Sequence, residues 1–325
     1  INNGPNVRPE VRERVNAAVE KLGYVPSLAA QRMGGSRSYL LLALNDRDRT
    51  IEGWKSGEGT DWVDQMLLGG ILTCSKHGYR MMVELVDTHS DHVERELGAA
   101  LSALQPDGVI LTPPHSENRL ITELLAARGI PFARIGSDAP GAGIALTMGD
   151  AGAAHLATTH LARLGHRRIA MIAGPSQYSL SGWRIEGWRR ALAEAGLLDE
   201  DLLAVGDFGY ESGIRAARAL LDRHSDLTAI IASSDQMALA ALEVARERGL
   251  NVPRDLSLIS FDNTPIVRFT QPPLTAIDQP IAETVSRAVE LLIDRDADEP
   301  EGVIEVDAAL VERASTAPAR LPARA

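Results

Sequence analysis

From residue 39 onward, short apolar runs alternate with longer stretches in which apolar residues recur every three or four positions. The runs cover 39–44, 81–86, 109–111, 169–173, 229–232 and 256–259. They are apolar at nearly every position rather than at every second one, which predicts strands covered on both faces, as in a parallel sheet. The stretches between them predict helices over roughly 63–77, 92–104, 118–128, 151–164, 183–195, 211–223 and 235–248. Strand and helix in alternation predict an α/β fold of two successive doubly wound parallel-sheet subdomains. The tail from Ala314 on, rich in Ala, Pro and Arg, is expected to fray.

Ahead of this body the pattern differs. Residues 9–22 predict a helix, with Pro9 at the first helical position, Glu10 in the first turn and Gly23 as the stop. Val11, Val15, Val19 and Leu22 form one apolar stripe, too small to bury itself; the partner helices it needs are expected upstream of Ile1. A shorter helical stretch follows over 27–33, opened by Pro26 and ended by Gly34-Gly35-Ser36. About two turns long, it is expected to be mostly unfolded alone in water, as befits a hinge between a small head and a large body.

A chain of 325 residues has room for two domains of ordinary size, and 45% apolar with 24% charged residues is ordinary for a soluble globular protein. The single cysteine, Cys74, excludes an intrachain disulfide framework and suits a reducing cytoplasm. No apolar run approaches a membrane span, and the first residues have no signal-peptide pattern. The chain does not begin with Met, as expected of a fragment. The net charge of −11 argues against nucleic acid, but residues 1–38 carry six basic side chains and three acidic ones. A basic arm on an acidic body is the electrostatics expected of a DNA-touching head on a regulatory domain.

In open α/β sheets ligands bind at the carboxyl ends of the strands. Those ends are followed here by Gly174-Pro175-Ser176 with Ser181-Gly182-Trp183-Arg184, by Asp207-Phe208, by Ser233-Ser234-Asp235 and by Ser260-Phe261-Asp262-Asn263. A guanidinium, carboxylates, hydroxyls and aromatic rings offered to one crevice suit a polyol: a ring covers its C–H face while Arg and Asp hold its hydroxyls. Enzyme signatures are absent: there is no G-x-S-x-G, G-x-G-x-x-G, P-loop, H-E-x-x-H or C-x-x-C, and the eight histidines form no cluster. Neither an enzyme, nor a cofactor, nor a metal is expected.

The order of motifs resembles the LacI/GalR (lactose-repressor) family of transcriptional regulators. "NNGPNVRPEVRERVNAAVEKLGYVPSLAAQRMGG" is similar to the end of the family's helix-turn-helix head and its hinge. "HLARLGHRRIAMIAGP", "RIEGWRRALAEAGL", "GDFGYESG", "SSDQMALAAL", "LSLISFDNTPI" and "PPLTAIDQP" follow in the family's order, so the resemblance runs from Asn2 to about Thr316. It implies a periplasmic-binding-protein-like body preceded by a partial α-helical DNA-binding head and hinge helix. The expected divisions are 1–25 for the head remnant and 26–38 for hinge and linker. The first subdomain is expected over 39–147 with 280–297, the second over 148–279 with 303–316.

The resemblance implies an effector, a sugar or glycoside, held by Arg184, Asp262, Phe208, Gln279, Trp62 and Ser234. Asp235 is expected to cap the following helix and Trp188 to lie in the core. Asn6, Ala30, Gln31, Arg32 and Met33 are expected against DNA, with Met33 as the apolar wedge in the minor groove. A homodimer on a palindromic operator is implied, with contacts flanking the helices at 63–77 and 235–248. Because the match begins at the end of the recognition helix, this chain is expected to bind operator weakly or not at all. Residues 46–61 depart from the family, which has a short Asn-Pro-aromatic segment there; a long polar loop is expected, with Trp54 as a possible lid. The alternative reading is a solute-binding protein of a sugar transporter; a nucleobase or phosphorylated metabolite is the alternative effector.

Overall fold

A computed structural model describes residues 8–22, 37–58, 60–87, 92–294 and 302–319. The chain divides into two units, 1–39 and 40–325. In the first, helix α1 (Pro9–Leu22) matches the predicted bounds. Its stripe stays unburied: Val11 is 47% and Leu22 78% exposed. The hinge stretch 27–33 and the DNA-facing positions Asn6, Ala30, Gln31, Arg32 and Met33 lie outside the described residues.

The second unit is built on two six-stranded sheets. The first holds β1 (Leu40–Asp46), β2 (Arg80–Val86), β3 (Gly108–Leu111), β4 (Phe132–Ile135), β5 (Ile144–Thr147) and, further along the chain, Ile304–Glu305, in the order β2-β1-β3-β4-β5 with Ile304–Glu305 on the edge. The second holds β6 (Ile169–Ala173), β7 (Leu203–Val205), β8 (Ala229–Ala232), β9 (Ser257–Asp262) and β10 (Thr275–Asp278), in the order β7-β6-β8-β9-β10. Strands Ile304–Glu305 and Ala309–Val311 become β11 and β12; only β12, paired with β10, runs antiparallel. The two sheets share one strand order. Each reverses its strand order after its first strand, so each has a switch point, at β1/β3 and at β6/β8, where adjacent crossovers leave on opposite faces and open a crevice.

The helices are α2 (Arg47–Ser56), α3 (Asp61–Lys76), α4 (Val93–Leu104), α5 (Arg119–Ala127), α6 (Asp150–Arg163), α7 (Ser179–Glu194), α8 (Tyr210–Arg223), α9 (Asp235–Glu247) and α10 (Ile281–Ile293). Strand cores are apolar throughout: residues 40–44, 169–173 and 229–232 are all buried. Dense helix contacts flank them. Gly187 of α7 lies so close to α6 that a Cβ there would stand 2.0 Å from the Ala151 carbonyl oxygen, so only glycine fits this crossing.

The structure corrects four expectations. The tail from Ala314 does not fray over its described part, 314–319: Ser315 is fully buried and the Ala319 N–H donates to the Leu164 carbonyl at 2.8 Å. Residues 46–61 are not a long loop: they begin with α2, capped by the Asp46 side chain, which accepts from the Arg49 N–H, and closed by Gly57 at φ 75°. The chain crosses between the sheets around 148–149, 279–280 and 306–308. Residues 304–305 therefore complete the first sheet rather than belonging with the second. Asp235 does not cap α9; Ser234 does, accepting from the Met237 N–H at 3.1 Å.

Candidate functional site

Both switch points open into one cleft between the sheets, with about 1000 Å³ of empty space, part of it open to solvent. The end of β1 and helix α2 contribute Asn45, Asp46, Arg49, Thr50 and Trp54; the start of α3 contributes Asp61 and Trp62. From the second sheet come Tyr178, Arg184, Phe208, Ser233, Ser234, Asp235 and Asp262. Five of the six expected effector residues therefore meet here: Arg184, Asp262, Phe208, Trp62 and Ser234. Gln279 does not line the cleft; it is buried behind it.

Arg184 lies on α7, which starts at the end of β6. Its guanidinium is 4.4 Å from the centre of the Phe261 ring. Nε donates to Asp150 Oδ1 at 2.8 Å and Nη1 to the Ser233 carbonyl at 2.7 Å. Nη2 has no protein partner among the described residues. Gln279 Nε2 donates to the same Asp150 oxygen at 3.2 Å. Asp150 and Gln279 stand at two of the three crossings, so the arginine that faces the cleft is fastened to the hinge between the sheets. Asp150, missed from sequence because an acidic residue opening a helix is unremarkable, is the residue that makes this link.

Two carboxyls of the second sheet, Asp262 and Asp235, also line the cleft, and Asp262 feels the Arg184 charge. Asp262 ends β9 with φ at 96°, in the left-handed region that disfavours a side chain. Burial pushes it up to about 6; Arg184 pulls it down, while Asp61 and Asp150 push it further up. Asp235, buried, accepts from the Thr264 N–H at 2.7 Å. Burial, then repulsion from Asp262, pushes it up to about 7. Around them Asp150 Oδ2, Ser181 Oγ and Ser233 Oγ are buried without a hydrogen-bond partner. A buried polar group left unmet costs about 1–3 kcal/mol, so this cluster is a demand for hydroxyl or water partners.

Phe208, also at positive φ, 71°, packs where Gly174 has no Cβ: one there would stand 2.1 Å from the ring. Its ring meets Tyr178 edge to face at 5.6 Å. From the other sheet Arg49 reaches over both rings, 5.1 Å from Phe208 and 5.5 Å from Tyr178, and donates to the Asp207 carbonyl at 3.3 Å. On the far rim Ser179 Oγ donates to Glu117 at 2.5 Å. Ser234 lines the cleft, but its hydroxyl is engaged twice, as the cap of α9 and as donor to the Phe208 carbonyl at 2.8 Å. Trp188, 0% exposed, is core, its Nε1 donating to the Ile169 carbonyl at 3.2 Å. Among the described residues no group of His, Cys, Asp and Glu is arranged to hold a metal, and no helix is long and apolar enough to cross a membrane.

Comparison with known proteins decides what carries this cleft. Residues 158–316 match the model of a periplasmic binding protein-like domain. Over 302 residues the chain is 33% identical to the HTH-type transcriptional regulator CelR of Thermobifida fusca, covering 91% of this chain and 86% of that protein. The chain belongs to the LacI family of transcriptional regulators. The HTH-type transcriptional repressor CytR of Escherichia coli is 31% identical over 298 residues, covering 90% of this chain and 83% of the repressor. A solved complex of the regulator CelR with cellobiose superposes with a TM-score of 0.76 at 30% identity, covering 97% of this chain and 93% of that one. A LacI family regulator from Enterococcus faecium with bound ribose superposes at 0.73 and 26% identity, covering 86% and 100%. This member of the LacI family is accordingly an effector-controlled, DNA-binding regulator, neither an enzyme nor a transporter's solute-binding protein.

Proposed function

We propose that this LacI family member is a homodimeric repressor, acting in the cytoplasm, whose operator affinity is set by a neutral sugar held between the two sheets of its body. The observation that carries the reading is Arg184 Nη2, without a protein partner among the described residues, in a cleft that Asp262 and the rings of Trp62, Tyr178 and Phe208 also line. A guanidinium and a carboxyl that line one cleft hold vicinal hydroxyls, and ring faces cover the C–H side of a sugar. The relatives solved with cellobiose and with ribose support that ligand class. Charge argues against an anion: Asp46, Asp61, Asp235 and Asp262 line the cleft against Arg49 and Arg184. A phosphate would meet more repulsion than attraction.

Asp262 and Arg184 hold the effector on this reading, Trp62 and Phe208 flank it, Gln279 acts through Asp150, and Ser234 supports Phe208. A ligand that engages Arg184 alters the contact at the crossings and so the relative angle of the two sheets. It shifts the regulator only by its different affinity for the two states. The dimer rests on α3, which exposes Leu68, Ile71 and Leu72 at 49%, 48% and 62%, three apolar side chains on one helix face. Met33 is the wedge that enters operator DNA, and Asn6, Ala30, Gln31 and Arg32 also contact it.

The test is a melting-temperature screen with neutral saccharides, their phosphate esters and nucleobases. A ligand at 100 times its dissociation constant adds about 2.7 kcal/mol of stability. Stabilisation by a neutral saccharide and not by its ester is expected; stabilisation by esters or nucleobases alone would overturn the sugar.

A further inference from the structure

We propose that helix α2 adds an outer subsite to this cleft, in which the Trp54 indole carries the second ring of a disaccharide. The inference rests on the sugar reading above and narrows it to a class of effector.

The segment Arg47–Ser56, RDRTIEGWKS, is polar apart from Ile51 and Trp54. Arg49, Thr50, Gly53 and Trp54 fall on one face of the helix and all line the cleft. Trp54 is 55% exposed there. An indole placed on the wall of a cavity and left half in water is a surface without its partner, and its flat apolar face with a polar Nε1–H suits a sugar ring.

Two neighbours complete the compartment. A Cβ on Gly53 would stand 2.9 Å from the Glu58 carbonyl oxygen, so the bare glycine lets the chain fold back after α2 and bring Thr60 and Asp61 to the same cavity. The Asp61 carboxyl, raised by burial and by Asp64, faces no cation and accepts from no side chain among the described residues. Its own backbone N–H is the one donor it meets there, which leaves it acceptor capacity for a ligand hydroxyl.

Arg49 moves the stacking surface outward. Its guanidinium already takes one face of Phe208 and of Tyr178, so the rings lining the cleft that no cation covers among the described residues are those of Trp54 and Trp62. The inner pair Arg184 and Asp262 takes the first ring, and Trp54 with Asp61 takes the second.

The experiment is calorimetric titration of the full chain with matched pairs: glucose and cellobiose, xylose and xylobiose, galactose and lactose. Native protein, Trp54→Ala and Trp54→Phe are compared. The disaccharide of the recognised pair binds the native protein tighter than its monosaccharide. Trp54→Ala weakens the disaccharide about tenfold, or ~1.4 kcal/mol, and leaves the monosaccharide unchanged, while Trp54→Phe keeps most of the preference. Tryptophan fluorescence gives a second reading: the disaccharide signal shrinks in Trp54→Phe. An unchanged disaccharide-to-monosaccharide ratio in Trp54→Ala overturns the subsite and leaves the sugar reading standing. Failure of all six saccharides to bind the native protein overturns both.

Discussion

Arg184 donates to Asp150 at 2.8 Å with both side chains almost fully buried, 4% and 0% exposed. The pair joins the wall of the cleft to the first of the chain's crossings between the sheets. Removing one partner of a buried pair leaves the other charge uncompensated and costs about 3–5 kcal/mol, whereas removing both is often nearly neutral. Arg184→Met is expected to lose stability in that range by denaturant titration, and Arg184→Met with Asp150→Asn to recover at least half of it. Neither variant is expected to bind effector. A double variant no more stable than Arg184→Met alone would show that the pair is not what holds Asp150 in place.

The same link depends on how close α6 and α7 lie. Gly187→Ala forces the two helices apart at the Ala151 carbonyl. Overpacking of this kind costs about 1–3 kcal/mol, and it moves Arg184, one turn earlier on α7, away from Asp150. Weaker effector binding together with a lowered melting temperature is expected. A variant with native stability and native affinity would refute the packing argument.

The carboxyls of Asp235 and Asp262 in the cleft make stability depend on pH. Asp235 is pushed up to about 7 and Asp262 to about 6, above the value of about 4 that an unfolded chain has. A carboxyl raised on folding binds more protons folded than unfolded. Its favourable contribution is therefore full below about pH 4 and is lost as the pH rises towards 7. Asp235→Asn removes the charge and keeps an acceptor for the Thr264 N–H. The melting temperature of the variant minus that of the native protein is expected to grow from pH 4.5 to pH 8. A difference that does not change with pH would mean that Asp235 is already fully ionised in the acid range.

Much of this was legible in the sequence because strands buried on both faces leave near-continuous apolar runs. All six predicted strands exist, and the seven predicted helices agree within a few residues. Two of the missed elements lack such a mark. β4 carries Arg134 in its middle, a buried guanidinium that donates to Ser137 and to the Ala139 carbonyl. α2 has no apolar stripe, and only its caps, Asp46 and Gly57, betray it. α10, overlooked despite a clear amphipathic pattern, buries Ile281, Val285, Ala288, Val289 and Leu292.

The site divides in the same way. Arg184 and Asp262 stand in recognisable motifs. Asp150, Tyr178 and Arg49 reach the site only through the fold, from segments where a carboxylate, a phenol and a guanidinium have ordinary local explanations. Ser234 shows the converse, a motif position whose hydroxyl the local structure claims for itself.

The central claim is that a neutral sugar binds between the sheets through Arg184 and Asp262. The most direct measurement is calorimetric titration of the saccharide that stabilises the native protein into three proteins: the native chain, Asp262→Asn, and Arg184→Met with Asp150→Asn. Binding to the native chain, with affinity lowered at least about tenfold, ~1.4 kcal/mol, in both variants, is the predicted result. Unchanged affinity in both folded variants would contradict it and place the sugar elsewhere.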